Sequence, residues 1–146
     1  MDYLAVGAAL SARFAALAGP TGYDAVRVST HLLPNQMTPL PTVLIFADKG
    51  DLNHYVGDRR GSQEWLARFY YDQTGDLPRA QEALLRWLPI LEDRLRGAVQ
   101  LGGIVGVSAA QITGWQMGTL HYGGEDYVGI ELVIEVVTAE GWAAVA

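Results

Sequence analysis

One stretch constrains this chain more than any other: Tyr127 to Thr138, which reads YVGIELVIEVVT. Successive side chains on a strand point to opposite faces. Val128, Ile130, Leu132, Ile134 and Val136 therefore share one face, and Tyr127, Gly129, Glu131, Val133, Glu135 and Val137 share the other. Twelve residues at ~3.4 Å each span ~40 Å, about twice the usual strand. A single small domain has little internal use for that length, so the excess should curl over the domain's own core or reach a neighbouring subunit. The apolar face is expected to be core. Tyr127, Glu131 and Glu135 are expected to face a partner or a channel.

The rest of the chain supplies what such a strand would pack against. Asp2 can cap a helix running to about Ala18, with Tyr3, Val6, Leu10, Phe14 and Leu17 at helical spacing. Its remaining surface is small (Gly7, Ala8, Ala12, Ala16), either from alanine richness or because another subunit packs closely there. Tyr23 to Leu32 alternates around Val26 and Val28 as a short edge strand. Pro34, Pro39 and Pro41 then frame an extended loop. Val43 to Ala47 suits a central strand buried on both faces. Asp48-Lys49-Gly50-Asp51 has turn chemistry, Leu52 to Val56 suits a short return strand, and Gly57 to Gly61 a second turn carrying Arg59 and Arg60.

Glu64 to Gln73 alternates again. Trp65, Ala67, Phe69 and Tyr71 lie on one side; Leu66, Arg68, Tyr70 and Asp72 lie on the other, where Leu66 and Tyr70 are available to a partner. Asp76 caps a second helix with Pro78 in its first turn and a stripe of Leu77, Ala80, Leu84, Leu88, Leu91 and Leu95. Pro89 within it predicts a kink or two short helices, and Gly97 stops the pattern. Gln111 to Leu120 is a further strand, joined to the last one through the glycines of His121 to Tyr127. This order predicts one α+β domain over residues 1–146. Its mostly antiparallel sheet has about four to five strands, flanked by an N-terminal and a central, kinked helix, and closes on a long C-terminal hairpin.

Composition narrows the chemistry. The chain has 146 residues and no cysteine, which removes disulfides, thiolate metal sites and a cysteine nucleophile. A net charge of −6 argues against a protein that grips nucleic acid, yet suits one that lets DNA pass without sticking. Of its ten basic residues nine are arginine, and Lys49 is the only lysine. Asp2 and Arg13 speak against a signal peptide, and no stretch approaches the ~20 apolar residues of a membrane span.

Motifs for catalysis are missing from the sequence. His31, His54 and His121 stand apart and read as turn or surface residues. Asp48, Asp51 and Asn53 fall at positions 1, 4 and 6 of a would-be calcium loop, whose ligands belong at 1, 3 and 5. Gly102, Gly103 and Gly106 lack dinucleotide-binding spacing. Glu131 and Glu135 share a face but stand ~13 Å apart, beyond the ~5–9.5 Å of a glycosidase pair. No catalytic, cofactor-binding or metal residue is assigned. Arg59 and Arg60 are either a solvated turn or directional contacts to a partner's carboxylates or to phosphate. Tyr122 and Tyr127, beside a Gly-Gly turn, are the aromatics best placed for an interface.

The N-terminal helix, the proline loop entering PTVLIFAD, the aromatic strand EWLARFYYDQ, the capped helix LPRAQEALLRWL and the closing hairpin HYGGEDYVGIELVIEVV together resemble the tail terminator proteins of long-tailed bacteriophages. The resemblance spans nearly the whole chain and rests on element order and the closing Tyr–acidic–Tyr–Gly–Ile strand. It implies a structural virion protein without enzymatic activity or cofactor, assembled in the host cytoplasm. Such a protein forms a homohexameric ring at the head-proximal end of the tail, stops growth of the tail tube, and offers a joining surface to the neck or connector. Its expected partners are further copies of itself, the tail-tube protein and the connector, with DNA passing unbound through the channel and no membrane involved. By position, Arg59, Arg60, Tyr70, Tyr122, Glu125, Asp126 and Tyr127 are expected at subunit or tube contacts, and Glu131 and Glu135 at the channel. Alternatives are another head–tail joining protein, a small-ligand-binding α+β domain using the Trp65/Phe69 face, or a small enzyme with a spatially assembled His/Asp site.

Overall fold

The computed structural model describes residues 2–55, 58–96 and 99–141; in 51–55, 58–60 and 139–141 the backbone alone is described. Helix α1 (Tyr3–Phe14) begins where Asp2 accepts a hydrogen bond from the Ala5 amide at 3.0 Å, satisfying one of the helix's free first-turn donors. It ends earlier than its apolar spacing predicts, and Ala16 adopts a positive φ of 53°. Val6, Leu10 and Phe14 are fully buried, while Tyr3 is exposed. The small residues of α1 have a use within the chain. A Cβ on Gly7 would stand 3.0 Å from the His31 Cβ, and the Ser29 hydroxyl donates to the Ser11 carbonyl at 2.6 Å.

The sheet has five strands: β1 (Val28–Thr30), β2 (Thr42–Tyr55), β3 (Asp58–Gln73), β4 (Val107–Tyr122) and β5 (Glu125–Gly141). Helix α2 (Leu77–Asp93) lies between β3 and β4 in the chain. The spatial order is β1-β2-β3-β5-β4. Only β1·β2 is parallel; the other three pairings are antiparallel. The fold is α+β with a mostly antiparallel sheet and a long closing hairpin. At its turn Gly123 and Gly124 take φ of 58° and 83°, the pair of positive values that a two-residue hairpin requires.

Both helices lie against one face. Val6, Leu10 and Phe14 of α1 and Ala83, Leu84, Trp87 and Leu91 of α2 join one core with Val43, Ile45, Trp65, Ala67 and Phe69. All five residues of the predicted apolar face of β5 belong to it, each 5 % exposed or less. Phe69 and Trp87 meet with ring centroids 4.7 Å apart at the junction of sheet and α2. Phe69 is thus interior, while Trp65, 5 % exposed, lends an edge to a cleft of about 340 Å³ that Tyr3, Lys49 and Glu64 also line.

Three local expectations are corrected. Asp48 to Asp51 is not a turn. It continues β2, with an irregularity between Ala47 and Lys49, and Leu52 to Tyr55 extends the same strand. Asp58 to Gly61 is likewise strand, paired to both Tyr55–Leu52 and Gly141–Thr138; Val56 and Gly57 lie outside the described residues. Finally, α2 runs unbroken through Pro89 rather than splitting into two helices. Pro89 and Leu85 both lie on the exposed side, where water can satisfy the carbonyl that a proline leaves without a donor. That helix ends at Asp93, ahead of Gly97, which is outside the described residues.

Candidate subunit interface

Among the described residues the second face of the sheet carries no helix, and its residues change character along the strands. At the end nearest the β4–β5 turn, Leu44, Tyr70 and Tyr127 are buried together, with Met37, Leu40, Phe46, Leu120 and Tyr122 packed against them. The proline loop is the lid of this cluster. Met37 and Leu40 come from it, the Tyr122 hydroxyl donates to the Pro34 carbonyl, and the Thr42 hydroxyl donates to the Pro39 carbonyl at 2.7 Å. Tyr70 meets Tyr122 and Tyr127 edge-on, at centroid distances of 5.9 and 5.7 Å. Burial raises the Tyr70 phenol above its ordinary pKa, and the neighbouring Arg68 guanidinium only partly offsets this.

This arrangement corrects two expected interface residues. Tyr70 is 0 % and Tyr127 4 % exposed, so both are consumed in packing within the chain. Gly129 beside them is obligatory: a Cβ there would lie 2.1 Å from the Phe69 carbonyl oxygen. Tyr122 stays half-buried at the edge of the cluster, and Glu125 and Asp126 are exposed at the start of β5. Asp126 is paired across the hairpin with His121.

Midway along the face, register sets Arg68 of β3 directly opposite Glu131 of β5. The Arg68 Nε donates to the Glu131 carboxylate at 2.7 Å, and the guanidinium lies 4.6 Å over the Phe46 ring. Burial pulls the Arg68 pKa down, but the Glu131 carboxylate outweighs it and the net shift is upward. Glu131 is therefore matched by a cation within its own chain, which removes it as a free channel-facing acid. Farther along, half-buried Glu135 stands opposite Glu64, whose carboxylate lies 3.6 Å from Lys49. Arg59 and Arg60 lie on β3, opposite His54 and Asn53 of β2 and Glu140 and Ala139 of β5. Their side chains fall outside the described residues.

The edge strand expected within Tyr23 to Leu32 is present as β1, but the sequence reading missed the sheet's other open edges. β4 ends the strand order, and β1 covers β2 only from Thr42 to Leu44. The signal for the first was present: Val107 to Tyr122 contains no Lys, Arg, Asp, Glu or Pro. Such residues commonly blunt an exposed edge strand. Among the described residues, no group of three or more His, Asp or Glu is placed to hold a metal ion, and no helix is long and apolar enough to cross a membrane. What the second face offers is a broad, half-apolar surface crossed by the Arg68–Glu131 and Lys49–Glu64 ion pairs. Neither a protein-family model nor a curated protein matches this chain.

Proposed function

We propose that this protein is a structural subunit that assembles with copies of itself into a ring, as tail terminators of long-tailed bacteriophages do. In that role it caps the head-proximal end of a tail tube, halts its elongation and presents a surface to the head connector. The observation that carries the reading is the disproportion between sheet and helices. Four strands of 14, 16, 16 and 17 residues are backed by helices of 12 and 17 on one face only. A 17-residue strand spans ~58 Å and a 17-residue helix ~26 Å. The sheet therefore overhangs its helices, and a neighbour can cover the remainder.

Charge supports the same role. Six copies at −6 each carry −36, a field that lowers DNA adhesion in a channel. With Glu131 matched by Arg68 and Glu64 by Lys49, Glu135 remains the candidate acid of the helix-free face for that field.

The test is to add the protein to polymerising tail-tube subunits and measure tube length by electron microscopy. A terminator yields capped tubes of limited length with a ring at one end. Unchanged growth together with ring formation would instead favour a neck or head-completion subunit, and a strict monomer with no effect on tubes would overturn both.

A further inference from the structure

We infer that copies join by sheet extension: the outer edge of β4 from Thr113 to Tyr122 receives the outer edge of β2 beyond Leu44 of a second copy, antiparallel, with the helices of both on the same side. This names the contact within the ring reading above and rests on it. Part of the β4 edge is already occupied in the chain. Val99 exchanges two backbone hydrogen bonds with Ala110, at 2.9 and 2.8 Å, and the Ile112 amide donates to the Leu95 carbonyl at 3.2 Å. From Thr113 onward the segment TGWQMGTLHY has no such cover among the described residues and no charge or proline to discourage pairing.

The surroundings of that edge select the occupant. Beside it runs a groove of about 330 Å³ between α2 and β4, lined by Leu77, Ala80, Leu84, Met117 and Val128. Leu77 in the groove is 56 % exposed, and Trp115 farther along β4 is 49 % exposed. An occupant that satisfies both features brings a free strand edge together with exposed apolar side chains. The chain itself carries that combination on its opposite side. Among the described residues β2 has no strand on its outer edge beyond Leu44, and α1, which packs over β1 and β2, exposes Tyr3 at 58 % and Leu4 at 64 %.

Strand direction agrees. Three antiparallel steps separate β2 from β4, so the two run in opposite directions. A second copy set alongside in the same orientation therefore presents its β2 antiparallel to β4, and its helices fall on the same side. The two edges are different, so the contact is head-to-tail and repeats until rotation closes a ring. Free β4 lies at the β4–β5 turn and free β2 at the far end of the sheet. Successive copies are thus offset along the strands, which tilts the strands against the ring axis as in a closed barrel.

The composition permits a direct test, because the chain has no cysteine and one lysine. In Gln116→Cys an exposed thiol is introduced on the helix-free face of β4, and Lys49 is exposed on the same face of β2. The variant is treated with a short amine–thiol cross-linker, separated on a denaturing gel and mapped by mass spectrometry, beside native mass spectrometry of the unaltered protein. The expected result is a ladder of linked copies up to ring size, with the new thiol joined to Lys49 of another copy. Rings of Gln116→Cys that yield no such link, or only thiol-to-thiol dimers across two β4 strands, would overturn the edge assignment while leaving the ring reading intact. An unaltered protein that never assembles, alone or on tubes, would overturn both.

Discussion

The two faces of one sheet behave differently, although the same strands build both. On the helix-backed face, β5 contributes five aliphatic residues to a continuous core. One residue out of phase, the same strand contributes Tyr127, Gly129, Glu131, Val133, Glu135 and Val137 to a face that, among the described residues, is covered by a proline loop at one end. Burial there falls off along the strand: a closed aromatic cluster, then an ion pair, then half-buried Glu135 opposite Glu64. Alternation in a sequence thus reports that a strand has two sides. What lies over each side decides whether it becomes core.

The comparison can be broken most sharply on the covered face. Phe69→Ala should lose about 3–5 kcal/mol of stability in urea unfolding, because it empties a fully buried site against Trp87. A loss below about 1 kcal/mol would mean that the helix-backed layer is not the main core. On the open face, Arg68→Met should cost about 1–2 kcal/mol, between the values of exposed and buried ion pairs, since both partners are partly covered. The double variant Arg68→Met with Glu131→Leu should recover most of that cost in the same unfolding series. If it does not, the Phe46 contact rather than the charge pair holds Arg68 in place.

The smallest effect is a matter of pH. Tyr70→Phe should change stability at neutral pH by no more than about 1 kcal/mol. The Tyr70 phenol is held above its ordinary pKa by burial, so the unfolded chain releases this proton near pH 10 while the folded chain keeps it. Stability of the parent protein therefore falls as pH rises beyond about 10, and Tyr70→Phe should flatten part of that decline. Parallel alkaline profiles for the two proteins would show that the aromatic cluster is open to water.

Much of the fold was readable because burial leaves a pattern. The β5 alternation and the Asp76–Pro78 helix start met the cover they predicted, and the run Val43 to Ala47 did so as far as Ile45, with Phe46 half-buried and Ala47 exposed. The distal parts of β2 and β3 were not readable, since Asp48, Lys49 and Gly50 are exposed and nothing apolar is needed where nothing packs. Local turn chemistry there is indistinguishable from an overhanging strand. The partner of Glu131 lay 63 residues away, a separation that only register could bridge. Tyr70 and Tyr127 were read as partner-facing because alternation says nothing of a loop folding back from Pro34 to Pro41.

The strand order also sets a timetable for folding. β5 follows every other strand in the chain yet lies inside the sheet, between β3 and β4. Its hairpin with β4 can close locally within ~1–10 μs. Docking that hairpin on β3 joins segments far apart in sequence, so folding should sit toward the slow end, on the order of milliseconds to seconds. A chain leaving the ribosome before Glu125 has emerged holds β3 as a bare edge beside Trp65 and Phe69, with no strand yet made to cover it.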